Sequence, residues 1–340
     1  MPQLPMDPAF ESLAIHPRVV LRDAGTVRET ISLARAAAKP RLSDEELSME
    51  DFLVPFANSA IGSVPVRLYR PKLAVGELPV LLYLHGGGFF CGDRYSDEFQ
   101  CSQYALDAQC VVVCVEYRLA PENPFPAALN DCYRVLEFLW DESQELHLDR
   151  RLFAVGGSSA GATLAATVAL LARDRRGPIL CFQMLVVPAL DDRLETPSAR
   201  KFTDVPDFAR PEAETMWSWY LGETIHDVSP YAAPAHAEDL SGLPTAYILC
   251  AGLDPLRDEG LHYACRLMEA DVAVELHLAP SIPHGFASVS EAAISVRLLK
   301  EQVEVLLRTF WPNGIGSEVS SASFSGGAGK VGSEGSSGAA

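Results

Sequence analysis

The sequence is poor in basic residues. Its 27 Lys and Arg residues stand against 45 Asp and Glu residues, and the formal net charge is −18 at pH 7. Proteins that bind nucleic acid through its phosphates need a basic surface, which this composition does not favour. We therefore expect no nucleic-acid partner. The acidic excess favours solubility and does not by itself indicate a substrate.

Long hydrophobic runs are also missing. The longest apolar stretches, 78–84 and 179–190, are too short or too interrupted to span a bilayer, so we expect no membrane span. The first eight residues contain neither a basic region nor an apolar run. The sequence therefore predicts no secretory signal.

The cysteines lack the spacing of a metal or redox site. None of the eight forms a C-x-x-C pair, and four of them lie inside apolar, strand-like runs: Cys110, Cys114, Cys181 and Cys250. This pattern favours buried free thiols in a reducing compartment over disulfides or metal ligands. We expect a cytoplasmic protein with no cofactor and no bound metal.

From residue 51 onward, strand and helix patterns alternate along the chain. Strands are predicted at 52–57, 64–69, 79–84, 111–115, 152–155, 181–187, 245–250 and 272–278, and helices at 127–139, 163–171, 258–270 and 292–310. Alternating β and α units predict an α/β fold with a mostly parallel sheet covered on both faces. Residues 1–50 are expected to form short helices, and 192–230 a polar insert. The Gly/Ser-rich tail, 313–340, is expected to be disordered.

The stretch Gly157-Ser158-Ser159-Ala160-Gly161 lies between a predicted strand and a predicted helix. A sharp strand-to-helix turn lifts its central side chain out of the sheet edge, which is the G-x-S-x-G geometry of an exposed nucleophile. Two adjacent serines occupy the turn. Only Ser159 has a glycine two residues before it and another two residues after it, so we predict Ser159 as the nucleophile.

A serine hydroxyl is a weak nucleophile and needs a base. In the arrangement that carries this turn, an acid and then a histidine follow the serine along the chain. His262 lies in a helical pattern and His277 inside a strand. His284 follows that strand in the loop Ser281-Ile282-Pro283-His284-Gly285-Phe286. We therefore predict His284 as the base.

The acid is expected at the end of the strand 245–250. Asp254 occupies that place, in the run Asp254-Pro255-Leu256-Arg257-Asp258-Glu259. Asp258 and Glu259 lie nearer the start of the next helix and fit a capping role better. We predict Asp254 as the acid that orients His284.

A glycine run, His85-Gly86-Gly87-Gly88, follows directly after the strand 79–84. Glycines let a main chain approach a substrate closely, so its N–H groups can stabilise the oxyanion of an acyl transfer. The residue after the nucleophile, Ala160, supplies a further N–H in this geometry. We predict an oxyanion hole built from Gly86, Gly87, Gly88 and Ala160.

Together these pieces resemble the hormone-sensitive-lipase family of α/β-hydrolase esterases. The resemblance covers about residues 50–310 and rests on motifs in the family's order: HGGGF at 85–89, YRLAPE at 117–122, FPAA at 125–128, GSSAG at 157–161, DPLRDE at 254–259 and HGF at 284–286. It implies an eight-stranded α/β-hydrolase fold in a single domain, 1–312, with a helical cap from about 1–50 and 192–230. It also implies Ser159, Asp254 and His284 as the triad, with the N–H groups of Gly87, Gly88 and Ala160 holding the oxyanion.

The sequence departs from the family's pattern at two positions. The family usually has an acidic residue before the nucleophile and a glycine after the second elbow glycine, where this chain has Ser158 and Ala162. Neither change removes a predicted catalytic group. The first removes a negative charge beside the triad, so the pH dependence is expected to differ.

Four aromatic residues are candidates for contact with the substrate. Phe89 and Phe90 follow the oxyanion glycines, and Trp217 and Tyr220 belong to an aromatic cluster in the insert. Such a cluster serves packing more often than a pocket, so both roles stay open.

The predicted function is that of a serine carboxylesterase acting on short- to medium-chain esters through an acyl-enzyme on Ser159. The predicted partner is a small-molecule ester, and a homodimer is a further expectation. The alternatives are hydrolysis of a specialised-metabolite ester, a lactone or an amide, and a non-catalytic small-molecule receptor on the same fold. Gibberellin receptors, which resemble this family, have lost the histidine that this chain keeps at His284.

Overall fold

The structure is a computed structural model that describes residues 5–15, 23–29, 45–56, 62–222 and 227–315. Parts of the predicted N-terminal helices, the insert residues 223–226 and all but the first three residues of the predicted tail 313–340 lie outside the described residues. Among the residues it describes, no helix combines the length and the apolar character that a membrane crossing requires.

Eight strands form one sheet in the order β1-β2-β4-β3-β5-β6-β7-β8. Strands β1 and β2 pair antiparallel, as do β2 and β4, whereas every other neighbouring pair is parallel. The bounds are Leu47–Pro55 (β1), Ser63–Pro71 (β2), Leu78–Leu84 (β3), Val111–Val115 (β4), Leu148–Ser158 (β5), Phe182–Val186 (β6), Thr245–Leu253 (β7) and Val274–Pro283 (β8). The predicted mostly parallel, eight-stranded sheet is confirmed.

Eight α-helices with defined bounds surround this sheet within the described ranges. They are Glu11–Ile15 (α1), Glu98–Asp107 (α2), Ala127–Asp141 (α3), Ala160–Arg175 (α4), Pro197–Lys201 (α5), Arg210–Leu221 (α6), Arg257–Glu269 (α7) and Ala293–Phe310 (α8). Residues 24–29 form a further helical segment, and short 3-10 helices lie at Pro8–Phe10, Pro234–His236 and Phe286–Ser288.

Side chains alternate along each strand, so they contribute to two cores, one on each face of the sheet. In β3, Val80, Leu82 and Leu84 pack into the core that α3, α4, α6 and α7 cover. Leu81 and Tyr83 point to the opposite core, which α2 and α8 cover. All seven residues of β3 are buried, so this strand is the centre of the molecule.

Several strands are longer than the sequence patterns predict, and β1 and β8 are two of them. β1 begins at Leu47 because its antiparallel ladder with β2 runs from Leu47↔Pro71 to Pro55↔Ser63. Residues 47–50, predicted as part of the cap, therefore belong to the sheet. β8 continues to Pro283 because its pairing with β7 resumes at Leu253↔Pro283 after an irregularity. His284 is consequently the first residue beyond the strand.

Candidate active site

The turn between β5 and α4 places Ser159 at the carboxyl edge of the sheet. Ser159 has φ 56° and ψ −122°, a backbone conformation that L-residues rarely adopt and that functional sites retain. Its N–H donates to the carbonyl oxygen of Val186 on β6, at 2.8 Å. Ser159 keeps 8% of its surface exposed.

The two elbow glycines are required by close packing against β3. A Cβ on Gly157 would lie 2.4 Å from the carbonyl oxygen of Leu84, and one on Gly161 would lie 1.9 Å from the same atom. Real Cβ atoms do not approach backbone so closely, so only glycine fits both positions. The start of α4 is thereby held against the end of β3, where the glycine run begins.

Three predicted residues from distant parts of the chain meet at this edge. His284 Nε2 lies 2.8 Å from Ser159 Oγ, and His284 Nδ1 lies 2.7 Å from Asp254 Oδ2. The other carboxylate oxygen, Asp254 Oδ1, accepts a hydrogen bond from the Leu256 N–H at 2.9 Å. Asp254 is 1% exposed and His284 is 9% exposed. This network is the geometry of a serine nucleophile, a base and an orienting acid.

The electrostatic surroundings favour the protonated form of His284. Burial lowers the pKa of His284, but the charge of Asp254 and its hydrogen bond raise that pKa more strongly, and Asp207 adds to the rise. The net pKa of His284 is above its ordinary value. A base of this kind holds a proton well once it has taken one from a hydroxyl group.

The glycine run after β3 is shaped by left-handed backbone. Gly87 has φ +117° and Gly88 has φ +59°, and a Cβ on Gly87 would lie 2.2 Å from the carbonyl oxygen of Cys91. Gly86 lies against the end of β5, since its Cβ would be 3.2 Å from the Ser158 carbonyl oxygen. Within the described part of the chain, the N–H groups of Gly87, Gly88 and Ala160 have no acceptor. They are free to bind an oxyanion.

A ring stack fixes the glycine run in place. The His85 ring lies parallel to the Tyr117 ring with centroids 4.1 Å apart, and the Tyr117 hydroxyl donates to the His85 carbonyl oxygen at 2.7 Å. The Cys91 N–H donates to the Gly87 carbonyl oxygen at 2.9 Å. The loop is therefore held by contacts within the protein that need no substrate, and effective oxyanion stabilisation requires such preorganised donors.

The four predicted substrate-contacting aromatics lie beside this loop, and all are buried. Phe89 stacks on Tyr220 with centroids 3.8 Å apart, and its ring is 5.7 Å from that of Trp217. Phe90 meets Trp219 edge to face at 5.0 Å. These packed pairs attach α6 to the oxyanion loop. Contact of Phe89, Phe90, Trp217 and Tyr220 with a substrate stays a prediction.

An N-terminal helical segment, 24–29, lies over Phe90. Ala24 and Val27 pack with Phe90 and Cys91, and Arg28 donates to the carbonyl oxygens of Phe90 and Ala120. Arg28 also pairs with Glu122 at 2.6 Å. Both chain regions assigned to the cap therefore contact the oxyanion loop directly.

Ser158 faces away from the nucleophile. It lines a cavity of about 50 Å³ together with Asp97, Tyr104 and Gln302, on the side of the sheet covered by α2 and α8. Ala162 is fully buried in α4. The two departures from the family pattern therefore lie behind the catalytic edge and not on it.

Two residues of the insert lie beside His284 although no sequence pattern marks them as functional. The ring of Phe208 lies 4.7 Å from that of His284, and the Asp207 carboxylate is so close to Gly285 that a Cβ there would be 2.2 Å from Asp207 Oδ2. Burial raises the pKa of Asp207, whereas His284 lowers it. No motif or periodicity marks this pair, because the folding of the insert alone brings it to the site.

The capping role expected of Asp258 and Glu259 is wrong. Both lie inside the first turn of α7 and bind backbone in the insert or just before it instead. Asp258 accepts from the Ser198 N–H at 2.7 Å, and Glu259 accepts from the Leu190 N–H at 2.6 Å. Their carboxylates thus attach the insert to α7. The position of these acids near a helix start also fits capping, so the sequence alone does not separate the two roles.

One group of side chains has the spacing of a metal site. The ligand atoms of Asp191, Asp192 and His236 lie within 4.8 Å of one another. Arg193 binds both oxygens of Asp191, and His236 Nε2 lies 2.6 Å from Asp192 Oδ1. These groups are already paired within the protein, and we assign no metal to them.

Comparisons with known proteins agree with this architecture. A family model described as alpha/beta hydrolase fold matches residues 81–288. Esterase LipI of Mycobacterium tuberculosis is 37% identical over 289 residues, covering 82% of this chain and 89% of LipI. Carboxylesterase NlhH of the same organism is 38% identical and covers 77% of this chain and 84% of NlhH. The solved structure of a bacterial heroin esterase superposes with a TM-score of 0.86 at 41% identity, covering 90% of this chain and 98% of that one.

The matches cover most of each relative's length and most of this chain. They share the fold, and their names describe hydrolysis of carboxylic esters. The chain belongs to the hormone-sensitive-lipase-like family of α/β-hydrolase-fold esterases, and it is a carboxylic ester hydrolase.

Proposed function

We propose that Ser159, His284 and Asp254 carry out ester hydrolysis through an acyl-enzyme. His284 Nε2 takes the proton of the Ser159 hydroxyl as Oγ attacks the ester carbonyl carbon, and a tetrahedral oxyanion forms. His284 then gives that proton to the leaving alcohol as the ester bond breaks. Water repeats the sequence on the acyl-enzyme and releases the acid and free Ser159.

The observation that carries this proposal is the continuous hydrogen-bond chain. The distances of 2.8 Å from Ser159 to His284 and 2.7 Å from His284 to Asp254 are those of proton transfer without rearrangement. The unpaired N–H groups of Gly87, Gly88 and Ala160 supply the oxyanion donors, each of which is typically worth about 10²–10³ in turnover. A receptor that only binds its ligand does not require the Ser159–His284–Asp254 hydrogen-bond network, so this network favours the enzyme over the receptor.

Short acyl groups fit the surroundings of Ser159 best. The aromatic side chains beside the oxyanion loop are packed against one another, with Phe89 fully buried and Tyr220 at 1% exposure. Ser159 and His284 themselves expose less than a tenth of their surface. We therefore infer a preference for acetate to butyrate esters over long-chain lipids. A cytoplasmic location and a homodimer remain predictions from the sequence.

Hydrolysis of p-nitrophenyl butyrate by matched serine variants tests the assignment. Ser159→Ala should lower kcat by about 10⁴-fold or more, because the nucleophile is lost while binding remains. Ser158→Ala is the matched control and should retain activity, because Ser158 faces the opposite side of the sheet. Retained turnover in Ser159→Ala, or loss only in Ser158→Ala, would show that the nucleophile is assigned wrongly.

A further inference from the structure

Asp207 is an acidic side chain packed against Gly285, next to the histidine of the proposed triad. Among the described residues, no Lys or Arg side chain forms an ion pair with it, and the groups that act on its charge are His284, Asp254 and the Gly285 N–H. Its side chain reaches solvent, yet the surrounding protein still disfavours its charge. A positive charge placed beside this carboxylate would stabilise its ionised form.

Phe208 completes the surface beside Asp207. Its partly buried ring lies 4.7 Å from the His284 ring, on the same insert segment as the carboxylate. An ammonium group binds favourably both to a carboxylate and to the face of an aromatic ring, and more so where water is scarce. An anionic or purely apolar group would leave the Asp207 charge uncompensated.

The position of this pair relates to one part of an ester. In the mechanism above, His284 Nε2 passes its proton to the oxygen of the leaving alcohol, so the alcohol part must lie next to His284. Asp207 is adjacent to Gly285 and Phe208 contacts His284 itself. Both side chains therefore lie next to the residue that passes its proton to the leaving alcohol.

We propose that Asp207 and Phe208 form a subsite for a positively charged ammonium group in the alcohol part of the substrate. The esterase thereby prefers esters of amino alcohols over uncharged esters of the same shape. This proposal rests on the proposed function, because it takes His284 as the group next to the leaving alcohol. Asp207 acts on substrate selection, and the bond-breaking steps are those already assigned to Ser159 and His284.

The test uses two butyrate esters that differ only in charge: that of choline, which carries a quaternary ammonium, and that of its carbon isostere, 3,3-dimethylbutanol. Wild type should show a higher kcat/KM for the choline ester, and added NaCl should reduce this preference by screening. Asp207→Asn should lower kcat/KM for the choline ester by about 3- to 10-fold and change the neutral ester by less than about 2-fold. Asn tolerates the φ of 70° at this position, and its carbonyl oxygen still accepts from Gly285.

Glu142→Gln is the matched control for net charge. Glu142 is exposed at the end of α3, and its replacement should leave the choline preference unchanged. Equal loss for both esters in Asp207→Asn would overturn the proposal and indicate a positioning role. Absence of any choline preference in wild type would also overturn it, whether or not the variant folds. Failure of wild type to hydrolyse p-nitrophenyl butyrate would instead reject the proposed function itself.

Discussion

Replacing Gly161 with Ala tests how the nucleophile and the oxyanion loop are held together. The added methyl would lie 1.9 Å from the Leu84 carbonyl oxygen and 2.5 Å from that of His85, both of them backbone atoms. Ordinary van der Waals contact begins at about 3.4 Å, so the end of β3 or the start of α4 must move by roughly 1 Å or more. Leu84 and His85 directly precede Gly86, and their displacement therefore moves the oxyanion donors relative to Ser159.

The magnitude of this change separates a catalytic effect from a purely structural one. Overpacking of a core typically costs about 1–3 kcal/mol of unfolding free energy. A misplacement of about 1 Å in an active site costs about 10²-fold in rate, and loss of one oxyanion donor about 10²–10³-fold. We expect Gly161→Ala to stay folded at room temperature while its kcat for p-nitrophenyl butyrate falls by about 10²-fold or more.

The assay combines ester hydrolysis, labelling by a fluorophosphonate probe and urea unfolding. Gly25→Ala is the matched control, because a Cβ there makes only ordinary contacts of 3.5 Å with Asp23. It should leave both activity and stability close to those of wild type. Unchanged kcat in Gly161→Ala would refute the reasoning, as would a fall in activity that merely follows the fraction of unfolded protein.

Two pH-dependent predictions follow from the charges near the site. Asp207→Asn removes a negative charge that raises the pKa of His284. The acidic limb of the pH profile of kcat/KM for a neutral ester should therefore move to lower pH. A shift to higher pH would contradict the assigned charge interaction. Burial holds the pKa of Glu259 well above its ordinary value, so wild type should lose stability as pH rises from the carboxyl's ordinary pKa through this raised one. Glu259→Gln keeps an acceptor for the Leu190 N–H without the charge, so its unfolding free energy in urea relative to wild type should increase with pH, and a constant difference between pH 5 and pH 8 would refute this.

The positions of the triad residues follow from local sequence because each is placed near the carboxyl end of a parallel strand. Ser159 follows β5, Asp254 follows β7 and His284 follows β8, and the ends of parallel strands meet at one edge of the sheet. Residues 125 positions apart, Ser159 and His284, therefore come within hydrogen-bond distance. Glycine spacing and chain order are therefore sufficient to predict that these three side chains lie together.

Other features depend on tertiary packing that no local pattern records. Helix α2 is not predicted from the sequence, because its buried side includes Cys101, Ser102 and Ala105, which are too small or too polar to mark an apolar face. Asp207 lies in an irregular segment between α5 and α6, so nothing in its neighbourhood indicates that it reaches His284. The family resemblance implies a helical cap, whereas the contacts of its residues with the oxyanion loop depend on tertiary packing.

The cavity behind Ser158 has a consequence for how this active site can change. At about 50 Å³ it has room for a few water molecules, and its lining includes residues of β3, β5, β6, α2 and α8. A larger side chain at position 158 would extend into this cavity, on the side of the sheet that α2 and α8 cover, while Ser159 keeps its place on the opposite side. Substitutions at position 158 can therefore shift the end of β5, and with it Ser159, through packing and hydration alone. No group that contacts the ester needs to change.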